Sequence, residues 1–101
     1  MRSATGLLEL PEGLVCYRRT ATFSPGNIPK ALLTSHSLKD GVWAMLRVEQ
    51  GRVRYCLDGQ AVDTLVVPQG ECVVIAPAQP HHVELLDADS AFQVEFYRPG
   101  Q

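Results

Sequence analysis

The usual cysteine signatures are missing from this chain. Cys16, Cys56 and Cys72 are odd in number, widely spaced and form no C-x-x-C, which excludes a disulfide framework and a thiolate zinc knuckle. Each sits among apolar or aromatic neighbours in a strand-like run, the setting of a small, buried, slowly reacting thiol in a reducing compartment. Clustered basic charge is also sparse. The formal net charge is −2, and beyond Arg18-Arg19 and the pair Arg52 and Arg54 there is no Lys/Arg patch, so no nucleic acid is expected as a partner. No apolar run approaches transmembrane length and residues 1–9 lack the apolar stretch of a signal peptide, so the expectation is no membrane and a cytoplasmic location. The chain also lacks a P-loop, G-x-G-x-x-G, a G-x-S-x-G elbow and H-E-x-x-H, which removes the common phosphate, nucleophile and zinc-hydrolase readings and leaves enzymatic status open.

A sustained helical period is missing as well. Residues 28–37 come nearest, and Pro29 followed by Ser and Thr favours an extended or irregular path there. What is present is a regular succession of turn signals: Pro11-Glu12-Gly13, Ser24-Pro25-Gly26-Asn27, Lys39-Asp40-Gly41, Gln50-Gly51, Asp58-Gly59, Pro68-Gln69-Gly70, the Pro77 to Pro80 run and Asp87-Ala88-Asp89. The segments between them, 14–20, 42–49, 52–57, 61–67, 71–76, 81–86 and 91–97, are strand-sized and rich in β formers. Gln50-Gly51 and Asp58-Gly59 read as hairpin turns. At 101 residues a single domain over residues 1–101 is expected. Seven or eight antiparallel strands with tight turns predict an all-β fold closed as a small barrel or jelly roll to protect its edges. Apolar and aromatic side chains on both faces of strands 42–49 and 91–97 predict a homodimer or higher homo-oligomer.

The candidate chemistry lies in Pro77-Ala78-Gln79-Pro80-His81-His82-Val83-Glu84, in the following strand with Glu95, and in the distant His36. Consecutive strand residues face opposite ways, so His81 travels with Val83 and Leu85 and is the better interior candidate, whereas His82 travels with Glu84 and reads as a surface pair. The same alternation opposes Glu95 to Phe92, Val94 and Phe96. If the phenylalanine face is interior, Glu95 is outside; burial of both faces would leave it free to serve a pocket.

Five segments in order carry a resemblance: Leu10-Pro11-Glu12-Gly13-Leu14-Val15-Cys16-Tyr17-Arg18-Arg19-Thr20, His36-x-x-Lys39-x-Gly41-Val42-Trp43, Gly51-x-Val53-x-Tyr55, Pro80-His81-His82-Val83-Glu84 and Phe92-Gln93-Val94-Glu95-Phe96-Tyr97. Together, from about residue 10 to residue 98, they resemble the TehB/YeaR-like domain, a small cupin found alone and ahead of the methyltransferase of tellurite-resistance proteins. The resemblance implies a cupin-type jelly roll, that is a double-stranded β-helix forming a single small barrel. It also implies a pocket with His36, His81 and Glu95 as metal ligands. Such a set, compatible with zinc or iron, would leave open coordination positions. The implied function is binding of a divalent metal or a small, oxyanion-like ligand in tellurite or oxidative stress. The alternative is a metal-free module that senses a metabolite or binds a protein partner. The chain has no glycine-rich strand-to-helix turn for S-adenosylmethionine, so methyl transfer is not expected of it.

Overall fold

Period-two alternation is the pattern that builds this molecule. The computed structural model describes residues 9–59 and 63–100. Within them the chain forms β1 (Leu14–Arg19), β2 (Trp43–Gln50), β3 (Arg52–Leu57), β4 (Asp63–Pro68), β5 (Cys72–Ile75), β6 (His81–Leu85) and β7 (Ala91–Pro99), with one 3₁₀ turn at Lys30–Leu33 following Pro29. Each strand lies on a segment expected from sequence, shifted by a residue or two at its ends; expected strand residues 61 and 62 lie outside the described residues. Among the described residues no helix is long and apolar enough to cross a membrane.

The strands form two antiparallel sheets, ordered β1-β7-β2-β5 and β4-β3-β6. In each, one face is apolar: Ala44, Leu46 and Val48 of β2, Phe92 and Val94 of β7, and Val73 and Ile75 of β5 meet Val53 and Tyr55 of β3, Val67 of β4 and Val83 of β6 in one core. A fully buried side chain of this kind, such as Phe92, contributes about 1.5–3 kcal/mol relative to leaving it in water. Phe92 also meets Phe23 edge-on at 5.6 Å between ring centroids, and the two residues exchange backbone hydrogen bonds of 2.8 and 3.0 Å.

The expected cupin-type jelly roll, a single closed β-barrel, is corrected by this topology. Both sheets are open. β1 and β5 end one and β4 and β6 end the other, and among the described residues no ladder joins an edge of one sheet to an edge of the other. The physical reason is visible at Gly51. Gln50-Gly51 is not a hairpin, because β2 pairs with β5 and β7 whereas β3 pairs with β4 and β6; the chain turns here from one sheet into the other. Gly51 takes φ +64, and a Cβ on it would stand 2.9 Å from Ser90 Oγ and 3.0 Å from Ser90 Cα. Ser90 is fully buried, donates from Oγ to the Arg52 carbonyl at 2.6 Å and accepts from the Asp87 amide at 3.0 Å. The corner is thereby fixed, and the sheets face each other rather than continuing into one another. Asp58-Gly59 does lead into a true antiparallel pair, β3 with β4.

Candidate functional site

Between the sheets lies a cavity of about 230 Å³. Its wall is largely aliphatic and aromatic, including Leu46, Ile75, Phe92 and Phe96, and its polar side chains are Arg18, Thr20, His36 and His81. Arg18 lies with its guanidinium carbon 5.9 Å from the centre of the Phe96 ring. Among the described residues no aspartate or glutamate lines the cavity.

His36 and His81 are brought together by the backbone. The loop carrying His36 runs antiparallel to β6, and the two residues exchange N–H···O bonds, 2.9 Å from His36 to the His81 carbonyl and 2.8 Å in return. Their rings meet edge-on with centroids 4.2 Å apart. Nδ1 of His36 is 2.9 Å from the Thr34 carbonyl and Nδ1 of His81 is 2.8 Å from the Gln79 carbonyl. A carbonyl can only accept, so each Nδ1 carries the proton and donates it, and in the neutral ring Nε2 keeps its lone pair. Burial pushes His81 below the ordinary imidazole value; the Gln79 carbonyl works against this and the neighbouring His36 adds to it. His81, 2 % exposed, is therefore a neutral base at pH 7. The turn before it has Ala78 in the left-handed region at φ 59, a conformation costing about 1–2 kcal/mol for a residue with a Cβ, held by an Ala78 amide bond of 3.0 Å to the Leu38 carbonyl.

Glu95 does not join the two histidines. β7 turns Phe92, Val94 and Phe96 inward, so Glu95 lies on the outer face of the four-stranded sheet, buried at 5 % exposure beneath its neighbours. Its Oε2 accepts from Arg19 at 2.8 and 3.1 Å, and its Oε1 accepts from Arg47 Nε and Tyr97 Oη, each at 2.9 Å. Burial opposes ionisation of this carboxyl, but its bonds to Arg47, Tyr97 and Arg19 outweigh that and hold it below the usual glutamate value.

A second polar group, which pattern reading passed over as a surface pair, lies on the outer face of the other sheet. Cys56 of β3 is in register with His82 of β6, and Arg54 with Glu84. Cys56, His82 and Glu84 offer ligand atoms all within 4.8 Å of one another, a donor set that could coordinate a metal ion. His82 Nδ1 is 2.9 and 3.1 Å from the two Asp58 carboxylate oxygens, and that bond raises His82 above the ordinary imidazole value while lowering Asp58. The signal is Cys56 directly opposite a histidine, legible only once β3 and β6 are known to pair. Cys16 and Cys72, expected to be buried like Cys56, are instead exposed. They lie on β1 and β5, the edges of their sheet, whereas Cys56 is flanked on both sides, by Thr64 and His82.

Two open antiparallel sheets enclosing a largely apolar cavity with an imidazole pair define a small all-β domain. The chain belongs to the TehB-like family, whose domain pattern matches residues 18–94. It is similar to the probable S-adenosyl-L-methionine-dependent methyltransferase TehB of Haemophilus influenzae, at 25% identity over 88 residues in each of two strains. That match covers 83% of this chain but 31% of the relative, so the chain spans about a third of the length of those proteins. Among solved structures, the crystal structure of H. influenzae TehB superposes with a TM-score of 0.75 at 25% identity, covering 87% of this chain and 32% of that one. An Escherichia coli K12 protein superposes with a TM-score of 0.85 over 94% of this chain and all of its own, at 22% identity, a likeness of fold alone. The family is thus TehB-like, and the narrower cupin designation is set aside with the closed barrel.

Proposed function

We propose that this chain is a small-molecule-binding domain. Its cavity takes a ligand with an apolar body, an O–H or N–H donor read by His36 and His81, and an anionic group read by Arg18. The observation that carries this is the imidazole pair: two rings 4.2 Å apart on one cavity, each with Nδ1 committed to a backbone carbonyl. Pre-set tautomers of this kind present Nε2 lone pairs that accept from ligand O–H or N–H groups without reorganisation. Arg18 supplies the only cationic side chain along the described lining, suited to a carboxylate.

A resident zinc or iron in the cavity was the expectation from His36, His81 and Glu95. Among the described residues the cavity supplies two imidazole nitrogens and no carboxylate, and both oxygens of Glu95 are engaged elsewhere. That donor set does not fit a three-ligand facial site, and no step is assigned to such an ion. A bare oxyanion such as tellurite is also disfavoured, since stripping its water in a mostly hydrocarbon cavity is costly. The methyl transfer named for the TehB relatives belongs to those longer proteins; this domain's part in such a system would be ligand recognition.

The test is an NMR titration of the untagged protein with a panel of small aliphatic and aromatic hydroxycarboxylic acids, whose hydroxyl can donate to Nε2 and whose carboxylate can pair with Arg18. Binders should shift the His36 and His81 ring resonances, and Arg18→Gln and His36→Asn should each weaken binding about tenfold or more. Binders that shift only outer-face residues, or that bind both variants unchanged, would refute the assignment.

A further inference from the structure

The outer face of the three-stranded sheet presents a group of side chains unrelated to the cavity. We infer that Cys56, His82 and Glu84 form a site for a divalent, thiol-preferring metal ion, with Asp58 orienting His82.

The geometry begins with strand parity. β3 turns Val53 and Tyr55 inward and Arg54 and Cys56 outward; β6 turns His81 and Val83 inward and His82 and Glu84 outward. Pairing of Cys56 with His82 places thiol and imidazole side by side, and Glu84 follows two residues along the same face. The three ligand atoms lie within 4.8 Å of one another, and His82 Nε2 stands 3.6 Å from Glu84 Oε2. Ligand atoms on a tetrahedral zinc, with bonds of about 2.0–2.3 Å, are roughly 3.5 Å apart, so the set closes with a small inward movement of these side chains.

The surrounding contacts leave the correct atoms free. Both Asp58 oxygens face Nδ1 of His82, so Nδ1 holds the proton and Nε2 becomes the ligand nitrogen, the carboxylate–histidine–metal arrangement that fixes ring orientation and raises basicity. Arg54 Nη1 binds Oε1 of Glu84 at 2.7 Å, leaving Oε2 turned to His82. At 3.6 Å the contact between Nε2 and Oε2 is too long for a hydrogen bond. The gap is wide enough for a metal ion bonded to both atoms, and Cys56 Sγ, within 4.8 Å of them, completes the donor set. The thiol is 3 % exposed and joins the ion by releasing its proton to solvent, Cys–SH plus M²⁺ giving Cys–S⁻–M²⁺ plus H⁺. Thiolate, imidazole and one carboxylate balance the ion's two charges, and this S/N/O set selects zinc-like ions over magnesium or calcium. A fourth position is left for water.

Cobalt(II) is the probe that separates this site from the cavity, because only a thiolate ligand gives the intense near-ultraviolet sulfur-to-cobalt charge-transfer band. The experiment uses untagged, reduced protein carrying Cys16→Ser and Cys72→Ser. The expected result is saturable appearance of that band, its loss on adding zinc, its absence in Cys56→Ser, and about 10–100-fold weaker zinc binding in Glu84→Gln and Asp58→Asn. His36→Asn, on the cavity side, should leave the band unchanged. Glu84→Gln is a half-exposed, near-isosteric change, so it reports even if Cys56→Ser folds poorly. Absence of the band in the protein with Cys56 as its one cysteine, or zinc binding unaffected by Glu84→Gln, would overturn the site.

Discussion

Replacing Glu95 by glutamine tests whether this carboxylate is a structural charge on the outer face. In the native protein its side chain is 7% exposed and accepts four bonds, while its partners Arg19 and Arg47 are 59% and 48% exposed. A bond to a charged group contributes about 1.5–3 kcal/mol when buried, but half-exposed arginines regain water, which reduces each ion pair to about 0.5–1 kcal/mol. Adding the Tyr97 hydroxyl bond gives a loss of about 2 kcal/mol for Glu95→Gln, or a fall in Tm of about 8–16 °C for a domain of this size. Urea unfolding should show a lower midpoint with an unchanged slope. The sign of the pH dependence follows from the lowered native pKa. The carboxylate's contribution is fully present above its ordinary value of 4.5 and is lost as pH falls through the lower native value. The gap between wild type and variant should therefore close in acid. An unchanged midpoint at pH 7, or a gap that persists after native Glu95 is protonated, would refute the reasoning, as would a shift of the His36 and His81 resonances in the variant.

Three further outcomes are expected. Gly51→Ala, forced to φ +64 with its Cβ 2.9 Å from Ser90 Oγ, should destabilise by about 2 kcal/mol, read as a urea midpoint shift; a neutral result would show that the corner between sheets is not fixed by Ser90. A thiol reagent under native conditions should label Cys16 and Cys72 quickly and Cys56 only on unfolding, because the first two are exposed and the third is buried; mass spectrometry of peptides distinguishes the sites. Phe92→Ala removes a fully buried ring packed on Phe23 and should cost about 3–5 kcal/mol, with a loss below 1 kcal/mol contradicting its place at the centre of the core.

Strand positions were legible because period two is local: each of the seven runs carries its own alternation and its own bounding turn residues. Alternation made His81, which travels with Val83 and Leu85, the better inward candidate, and the structure turns it inward and His82 outward. Alternation opposed Glu95 to Phe92, Val94 and Phe96 without deciding its side, because burial of both faces would have let it serve a pocket; the inward phenylalanine face puts it outside. Sheet membership was not legible. Gln50-Gly51 has the residues of a hairpin turn, yet it leads out of one sheet into the other, and only partners distant in sequence decide between the two. The exposure of Cys16 and Cys72 was hidden for the same reason, since an edge strand and a central strand can share one local pattern. The grouping of Cys56 with His82 and Glu84 depends on β3 pairing with β6, two strands separated in the chain by β4 and β5.

The two consecutive histidines show how register specifies this molecule. A slip of β6 by one residue would move His82 and Glu84 into the core and His81, Val83 and Leu85 to the outer face. Glu84 would then lose Arg54 and be buried in the apolar core without a partner, a cost of several kcal/mol. The native register is held at both ends of the strand's first residues: His81 by its paired backbone bonds with His36, and the Pro80 carbonyl by the Asp58 amide at 2.9 Å. Asp58 therefore acts twice, its amide fixing where β6 begins and its carboxylate gripping the residue that must face outward. Placing a neutral imidazole in the cavity and a carboxylate-paired one on the surface is one decision, made at Asp58 and His36, and the apolar core beneath β3 penalises the opposite choice.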